Sequence, residues 1–282
     1  MKHIDPKVLA DYNRGAEKDR LRKDLGLIEF ARTKELLREY LPPPPAVIYD
    51  IGGGYGEYAW WLASLGYDVR LFDISETHIA MSAALGMEYP GVSLRSAEVA
   101  DALRIDRPDA SADAVLCMGP LYHIIEERGR LAALAECRRL LRPGGRLFAA
   151  AITPYATLLW ATTVFGAKNR LLEEDAFIAM CAHEIETGAH VPPEGSEYRG
   201  VGRSFFHAPD ALERELAAGG FEDITLHGVV GAGWLAPNLD ETWKDPTARE
   251  AILRSVRILD GRRDLLGLST HLLAAARKPE EI

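Results

Sequence analysis

A glycine-rich turn that follows an apolar strand constrains the fold of this chain more than any other feature. The predicted strand is Val47–Ile51, the turn is Gly52-Gly53-Gly54-Tyr55-Gly56, and Glu57–Leu65 carries apolar residues at the spacing of one helical face. Glycines permit a tight turn and let a ligand approach the backbone, where a Cβ would stand in the way. The succession predicts the first strand–turn–helix unit of an α/β sheet, with a ligand at the turn.

Strands and helices continue to alternate beyond this unit. Helices such as Arg128–Leu141 and Pro209–Ala218 separate apolar stretches that are short enough to be strands. The further predicted strands are Val69–Phe72, Val92–Val99, Ala114–Met118, Arg146–Ile152, Phe221–Val230 and Ser269–Ala276. This alternation predicts a single seven-stranded, mostly parallel sheet with helices on both faces.

Three segments lie outside the repeating pattern. Apolar residues spaced by three and four run from Leu21 to Leu36, and Pro42–Pro45 ends that helix because proline has no backbone N–H to donate. We therefore predict an N-terminal helical cover over residues 1–41 and a main domain over residues 46–282. Residues 153–207 and 231–265 are predicted to be insertions that form a helical lid over the ligand edge of the sheet.

Composition limits the classes of partner. The chain has 33 basic and 42 acidic side chains and a formal net charge of −9, which disfavours a nucleic-acid substrate because such affinity comes largely from neutralising phosphates. Its three cysteines form no CxxC pair, as expected for reduced thiols in the cytoplasm. The first residues lack an apolar signal segment, and the stretch Ala156–Ala167 is too short to span a bilayer. We expect a cytoplasmic protein with no membrane partner.

The glycine-rich turn alone leaves the class of nucleotide open. A dinucleotide fingerprint needs glycine or alanine at position 57, where this chain has Glu57, and a carboxylate there would repel a pyrophosphate. A P-loop is excluded because its lysine and hydroxyl pair is absent. Asp73 ends the second predicted strand, where a carboxylate can accept both ribose hydroxyls or simply act as a helix cap or surface acid. These residues favour a nucleoside ligand without phosphates.

Five motifs together resemble a known family. Residues from about 10 to 278 are similar to the class I S-adenosylmethionine (SAM)-dependent methyltransferases, and closest to a bacterial small-molecule subgroup. The motifs are Asp50–Gly56, Leu71–Ser75, Ala100–Ala102, Asp113–His123 and Leu140–Gly145. The resemblance implies a Rossmann-like fold and transfer of a methyl group from SAM to an oxygen, nitrogen, sulfur or carbon atom of a small molecule, with release of S-adenosylhomocysteine.

The resemblance also assigns cofactor contacts to residues at the ends of the strands. The implied contacts are Asp50 with the ammonium group, through water; Gly52, Gly53, Gly54 and Gly56 along the methionine and ribose portion; Asp73 with the ribose hydroxyls; Ile74 on the adenine; Asp101 with the adenine amino group; Ala102 through its backbone; and Gly119 and Pro120 where the methyl group meets the acceptor. Ala100 departs from the glycine of many relatives, which leaves the shape of that loop open.

The N-terminal segment is similar to relatives as well. In related enzymes such helices fold over bound SAM, so the resemblance implies that Tyr12 is a lid residue and that Arg32 faces the SAM carboxylate. The alternative is that both belong to an ordinary solvated helix face. Both roles therefore depend on where the helix packs.

Tyr122 and His123 are the candidate catalytic residues, because a histidine near its ordinary pKa can remove a proton from the acceptor. Tyr122 can equally pack on the acceptor, and His207 is a third candidate beside the lid. No metal is expected, since His183, Glu184 and His190 lack the spacing of zinc ligands. Aromatic residues of the variable regions would favour a flat or apolar acceptor if several line one cavity; they are Trp160, Phe165, Phe177, Phe205, Phe206 and Trp234.

Two rival functions remain. An NAD-dependent oxidoreductase would use the same turn and Asp73 but is opposed by Glu57 and Asp101. A non-catalytic SAM-binding protein would keep every motif. Family analogy suggests secondary metabolism as the context, and a homodimer is one assembly that these patterns allow.

Overall fold

The structure is a computed structural model that describes residues 6–14, 19–198 and 200–280. The parts of the predicted N-terminal cover at residues 1–5 and 15–18 lie outside the described residues. Within the described ranges, no helix is both long enough and apolar enough to cross a membrane.

One sheet of seven strands organises the molecule. The strands are β1 (Val47–Ile51), β2 (Asp68–Asp73), β3 (Ser96–Val99), β4 (Ala112–Cys117), β5 (Leu141–Ile152), β8 (Glu222–Gly228) and β9 (His271–Arg277), while β6 (Ala189–His190) and β7 (Ser204–Phe205) form a separate hairpin. Their order across the sheet is β3-β2-β1-β4-β5-β9-β8; β9 pairs antiparallel with both β5 and β8, and the other neighbouring strands pair parallel. The predicted Rossmann-like, mostly parallel sheet is confirmed.

Helices cover both faces of this sheet. They are α1 (Pro6–Asn13), α2 (Leu25–Tyr40), α3 (Glu57–Ser64), α4 (Glu76–Gly86), α5 (Pro120–His123), α6 (Glu127–Leu140), α7 (Ala156–Thr163), α8 (Asp175–Thr187), α9 (Pro209–Ala218), α10 (Leu239–Thr242) and α11 (Pro246–Leu259), with 3₁₀ turns at Arg20–Arg22, Leu171–Glu173, Gly233–Leu235 and Arg263–Leu268. The helices α3, α6 and α9 lie within one residue of their predicted positions.

The third strand is shorter than predicted. The apolar pattern suggested Val92–Val99, but pairing with β2 begins only at Ser96, opposite Arg70. Gly91 has φ +81°, and the Val92 N–H donates to Tyr89 in a turn. The turn uses the first residues of the apolar run, so they cannot extend along β2.

The core has two halves because successive side chains of a strand point to opposite faces. Ile48 of β1 packs with the layer that contains α2, α3 and α11, whereas Tyr49 and Ile51 pack with the layer that contains α6 and α9. All three side chains are almost fully buried. A parallel strand buried on both faces is apolar along most of its length, which explains why Asp50 is the one charged residue in the run Val47–Ile51.

The N-terminal cover is divided in two by a break before α2. Asp24 has φ +47°, so the 3₁₀ turn that contains Leu21 is not continuous with the helix. The predicted apolar face is nevertheless buried, with Ile28 and Leu36 fully inaccessible and Leu21 8% exposed. This break allows the 3₁₀ turn to face the ligand edge while α2 lies on the sheet.

The two segments predicted to form a lid have different positions. Residues from α7 and from the loop between β6 and β7 line a cavity at the carboxyl edge of the sheet. In contrast, Trp234, Leu253 and Val256 of the second segment pack into the core layer of α2. None of the residues that line the two cavities described below lies between 231 and 265. The second segment is therefore a cover of the sheet and not part of a lid.

Candidate active site

The glycine-rich turn folds tightly against β2 and leaves its outer side open. Both Gly52 and Gly53 direct their N–H groups to the carbonyl of Phe72, at 2.7 and 3.3 Å. Gly52 (φ +70°) lies so close to Pro120 that a Cβ would be 2.7 Å from its ring, whereas a Cβ on Gly54 (φ +59°) would meet no atom within 4 Å. The turn thus presents bare backbone to a cavity, as the sequence predicted.

Asp73 is held in a fixed position at the end of β2. Its Oδ2 accepts from the Gly54 N–H at 2.9 Å, and its Oδ1 accepts from the Ser75 N–H at 2.8 Å and lies 3.0 Å from His78 Nδ1. The side chain is only 6% exposed, yet it lines the cavity. Asp73 therefore links the glycine turn to the start of α4 and still faces a ligand.

Asp50 is the most unusual group at the site. It is completely buried, and neither carboxylate oxygen has a hydrogen-bond partner among the described residues. Burial, with a further contribution from nearby Asp73, raises the pKa of Asp50 to about 7. A buried carboxylate without a partner is costly unless a cation or donor arrives. The arrangement fits the ammonium group of SAM.

The turn cavity, defined by the glycine turn and Asp73, contains almost all predicted cofactor residues. Those that line it are Tyr12, Asp50, Gly52, Gly53, Gly54, Asp73, Ile74, Asp101, Ala102, Gly119 and Pro120. Gly56 does not line it. With φ +85° Gly56 precedes the first residue of α3, and a Cβ there would lie 2.9 Å from Leu71. Glycine is required at position 56 because the backbone has a positive φ and because a side chain would collide with Leu71.

Arg32 does not reach the cavity, so its predicted contact with a SAM carboxylate is wrong. Its guanidinium pairs with Glu35 at 2.9 Å and with Asp260 at 2.5 Å. A cation that is 8% exposed on a buried helix face needs acidic partners, and these hold it away from the ligand edge. Arg20, in the 3₁₀ turn before α2, is the arginine that lines the cavity.

His207 is also displaced from the site. It is fully buried, its Nε2 lies 3.4 Å from Glu215, and burial lowers its pKa. Neither the turn cavity nor the lid cavity described below includes it. The strand before it ends at Phe205, and the chain then turns inward toward α9, so the predicted catalytic role of His207 is wrong.

Tyr122 and His123 lie on α5, directly after the end of β4. The Tyr12 hydroxyl is hydrogen-bonded to His123 Nε2, and the Tyr122 hydroxyl donates to the Met118 carbonyl at 3.1 Å. Burial lowers the pKa of His123 to about 3, against the opposing effect of Asp73. His123 is therefore neutral at physiological pH and a poor proton acceptor, although its position at the junction is as predicted.

A second, larger cavity of about 700 Å³ adjoins the first; it is called the lid cavity here. Four residues line both cavities: Tyr12, Arg20, Tyr122 and His123. The wall of the lid cavity beyond them is largely apolar, with a polar end, and includes Ile152, Ala156, Trp160, Tyr198, Val201, Phe206, Thr270 and His271.

The predicted aromatic residues divide between this cavity and the core. Trp160 and Phe206 line the cavity, whereas Phe177 and Trp234 pack in hydrophobic clusters. The sequence patterns did not point to Arg20, Tyr198 or His271. His190 Nδ1 lies 2.6 Å from Glu184 Oε1. The described residues contain no group of three or more histidine, cysteine or acidic side chains that could hold a metal ion.

Comparisons with known proteins agree with this geometry. Residues 48–145 match the family described as a methyltransferase domain. The chain is 27% identical over 202 residues to a ubiquinone/menaquinone biosynthesis C-methyltransferase from Acidiphilium cryptum, which covers 68% of this chain and 75% of the relative. It is 34% identical to a ubiquinone biosynthesis O-methyltransferase from Xanthomonas campestris, over 44% of this chain and half of the relative.

The fold has solved counterparts. A SAM-dependent methyltransferase from Methanosarcina mazei superposes with a TM-score of 0.57 over 87% of this chain and 98% of its own, at 17% sequence identity. At this identity the likeness concerns the fold alone. The strand order, the glycine turn and the buried acids supply the remaining evidence for the site.

Proposed function

We propose that the chain is a class I SAM-dependent methyltransferase that methylates a small, largely apolar molecule bound in the lid cavity. One observation carries the proposal. The lid cavity and the turn cavity share Tyr12, Arg20, Tyr122 and His123, so ligands in the two cavities meet at one place. The names of the curated relatives, which refer to ubiquinone and menaquinone biosynthesis, support a small-molecule acceptor.

Each end of the cofactor has a suitable partner in the turn cavity. Asp50 would pair with the ammonium group, which would replace its missing hydrogen bonds. Asp73 would accept from the ribose hydroxyls while the Gly54 and Ser75 N–H groups keep its carboxylate in place. At the far end Ile74 would pack on the adenine, with Asp101, whose Oδ1 accepts from the Leu103 N–H, near its amino group.

When bound, SAM supplies a methyl group on a positively charged sulfur. Methyl transfer is an in-line displacement, so the main task of the protein is to hold the nucleophile in line and exclude water. Gly119 and Pro120 border the transfer point beside Gly52. Tyr122 and Tyr12, which line both cavities, would confine the acceptor from the other side.

The two rival functions differ in what they require here. A dinucleotide needs a phosphate site at the start of α3, but Glu57 lies in the first turn of that helix and lines the cavity. This carboxylate opposes NAD binding. A non-catalytic SAM-binding protein would need no acceptor site, whereas this chain has a cavity of about 700 Å³ at the junction.

Calorimetric titration with SAM, S-adenosylhomocysteine and NADH tests the cofactor. We expect binding of both adenosyl ligands, no binding of NADH, and a loss of roughly tenfold or more in SAM affinity for Asp73→Ala, because a charged hydrogen-bonding group is removed. Asp109→Ala, a change at an exposed acid outside both cavities, is the control. Production of S-adenosylhomocysteine with a panel of apolar phenols, thiols and amines tests transfer. Binding of NADH alone would refute the methyltransferase assignment.

The setting of the enzyme is part of the proposal. The net charge of −9 supports an acceptor that is not a nucleic acid, the three free cysteines support a location in the cytoplasm, and the family analogy supports a role in secondary metabolism. A homodimer is compatible with the family. Analytical ultracentrifugation of the purified protein measures its oligomeric state directly.

A further inference from the structure

The reversed last strand brings a histidine to the ligand edge of the sheet. Because β9 is antiparallel to β5, its first residue, His271, lies opposite Ile152, the last residue of β5. Ligands of such sheets bind outside the carboxyl ends of the parallel strands. His271 is therefore at the reactive edge, and it lines the lid cavity.

A buried carboxylate lies behind this histidine. Glu29 of α2 is 8% exposed, and its Oε2 is 3.8 Å from His271 Nδ1. The same carboxylate forms a bidentate pair with Arg20, at 2.6 and 3.0 Å. Burial acts to raise the pKa of Glu29, but Arg20 and His271 together lower it to about 2. Glu29 is thus a fixed negative charge at neutral pH.

Arg20, Glu29 and His271 form a triad whose two outer members face the acceptor. Arg20 and His271 line the lid cavity, whereas Glu29 does not. Arg20 also lines the turn cavity, which connects the triad to the place where the methyl group is transferred. The remaining lining of the cavity is largely apolar and includes Ile152, Trp160 and Phe206. The cavity therefore matches a molecule with an apolar ring and one polar, ionisable group.

His123 cannot serve the acceptor in the same way. Its Nε2 is engaged by the Tyr12 hydroxyl, and burial disfavours its cationic form. The positive charge of bound SAM would disfavour that form further. His271 differs because it is 22% exposed at its side chain and has a carboxylate beside it.

We propose that His271 is the proton acceptor for a phenolic or enolic hydroxyl group of the substrate, with Glu29 as its positioning residue. This inference rests on the proposed function. In the step, the acceptor O–H proton moves to His271, the oxygen forms a bond to the methyl carbon, the carbon–sulfur bond breaks, and neutral S-adenosylhomocysteine leaves. Glu29 stabilises the imidazolium that results, and Arg20 holds Glu29 in place.

Phenols of different acidity test this role. With para-methoxyphenol, a weak acid, we expect His271→Asn to lower kcat/KM by roughly 10²–10⁴-fold, the usual contribution of general base catalysis. With para-nitrophenol, which ionises by itself, the loss should be less than about tenfold. SAM affinity should not change. His183→Asn, at an exposed position of α8, is the matched control and should behave as the wild-type enzyme.

Glu29→Gln separates positioning from a purely structural role. The groups around the imidazole include Thr270, whose Oγ1 is 3.3 Å from Nδ1, and Glu29 of α2, at 3.8 Å, with Arg20, Tyr12 and His123 lining the same cavity. A neutral amide no longer stabilises the imidazolium, so the acid limb of the pH–rate profile should shift to lower pH while kcat falls. A merely structural residue would lower activity without moving that limb.

Three outcomes would overturn the proposal. They are an equal loss on both phenols in His271→Asn, no loss on either, and a wild-type enzyme that binds SAM and methylates thiols or amines but no phenol. The third outcome is consistent with the proposed methyltransferase function and refutes only the hydroxyl acceptor and the role of His271 as its base. Failure of the wild-type protein to bind SAM would instead refute the proposed function itself.

Discussion

Single residues at this site show how far local patterns can predict chemistry. Asp50 and Asp73 could be predicted because they lie in the last two residues of parallel strands, whose carboxyl ends meet at the ligand edge of the sheet. The predicted contact of Arg32 with SAM was wrong because helical spacing identifies the buried face of α2 but not the elements that pack against that face. His271 was missed because nothing in an apolar run reveals that its strand is reversed, and this reversal places its first residue at the ligand edge.

Asp50→Asn should stabilise the ligand-free protein and impair SAM binding. The folded pKa of about 7 lies above the ordinary aspartate pKa of 3.8, so between these pH values the native state holds a proton that the unfolded chain has lost. Stability of the wild-type protein should therefore fall as pH rises from about 4 to 7. The variant should lack this slope, gain about 1–3 kcal/mol at neutral pH, and bind SAM at least tenfold more weakly.

Thermal melts of both proteins between pH 4 and 8, without ligand, measure this difference. Asp68→Asn is a control at an acid outside the cavities, at the other end of β2. Parallel pH curves for the wild-type protein and Asp50→Asn would show that Asp50 is ionised without cost in the folded state.

At the scale of elements, the fold follows from the sequence where the elements repeat and departs from it where they do not. The strand–helix alternation and the position of the glycine turn were predicted because each element carries its own period. The position of residues 231–265 was not predicted correctly. An amphipathic helix such as α11 must pack on an apolar surface, but its own sequence does not specify which surface of the protein that is. Its partner is α2, and that choice is made by the assembled core.

Helix α1 should slow the release of SAM, and the hydroxyl group of Tyr12 should be responsible for this effect. Tyr12 borders both cavities, its hydroxyl is bonded to His123, and its ring lies 5.1 Å from that of His78. Tyr12→Phe removes the bond but keeps the ring, so we expect SAM to dissociate about five- to tenfold faster, as the loss of about 1 kcal/mol implies. Stopped-flow fluorescence with excess S-adenosylhomocysteine as competitor measures the rate.

Tyr67→Phe provides the matched control, because it removes a hydroxyl that donates to the Pro42 carbonyl at 2.9 Å, away from both cavities. This variant should lose similar stability without a change in SAM release. Equal dissociation rates for Tyr12→Phe and the wild-type enzyme would mean that α1 does not retain the ligand.

At the scale of the whole molecule, ligand binding, protonation and stability are linked. The unpartnered Asp50 is partly protonated near neutral pH, and pairing with an ammonium group favours its ionised form. SAM binding at pH 7 should therefore release roughly half a proton per molecule, and more as the pH falls toward 6. A net uptake of protons, or none, would contradict this linkage.

Calorimetric titrations in buffers of different ionisation enthalpy count the released protons. The Asp50→Asn variant should show no such release. The two measurements on this residue are independent, since one follows the apo protein alone and the other only the bound state.

The two cavities adjoin each other and share four lining residues, Tyr12, Arg20, Tyr122 and His123. One compound can therefore occupy both. If an adenosyl group and an aromatic ring are joined by a short linker at the sulfur position, binding of the second half becomes intramolecular, with an effective concentration in the millimolar range. Such a bisubstrate ligand would discriminate among methyltransferases by the shape of its aromatic half.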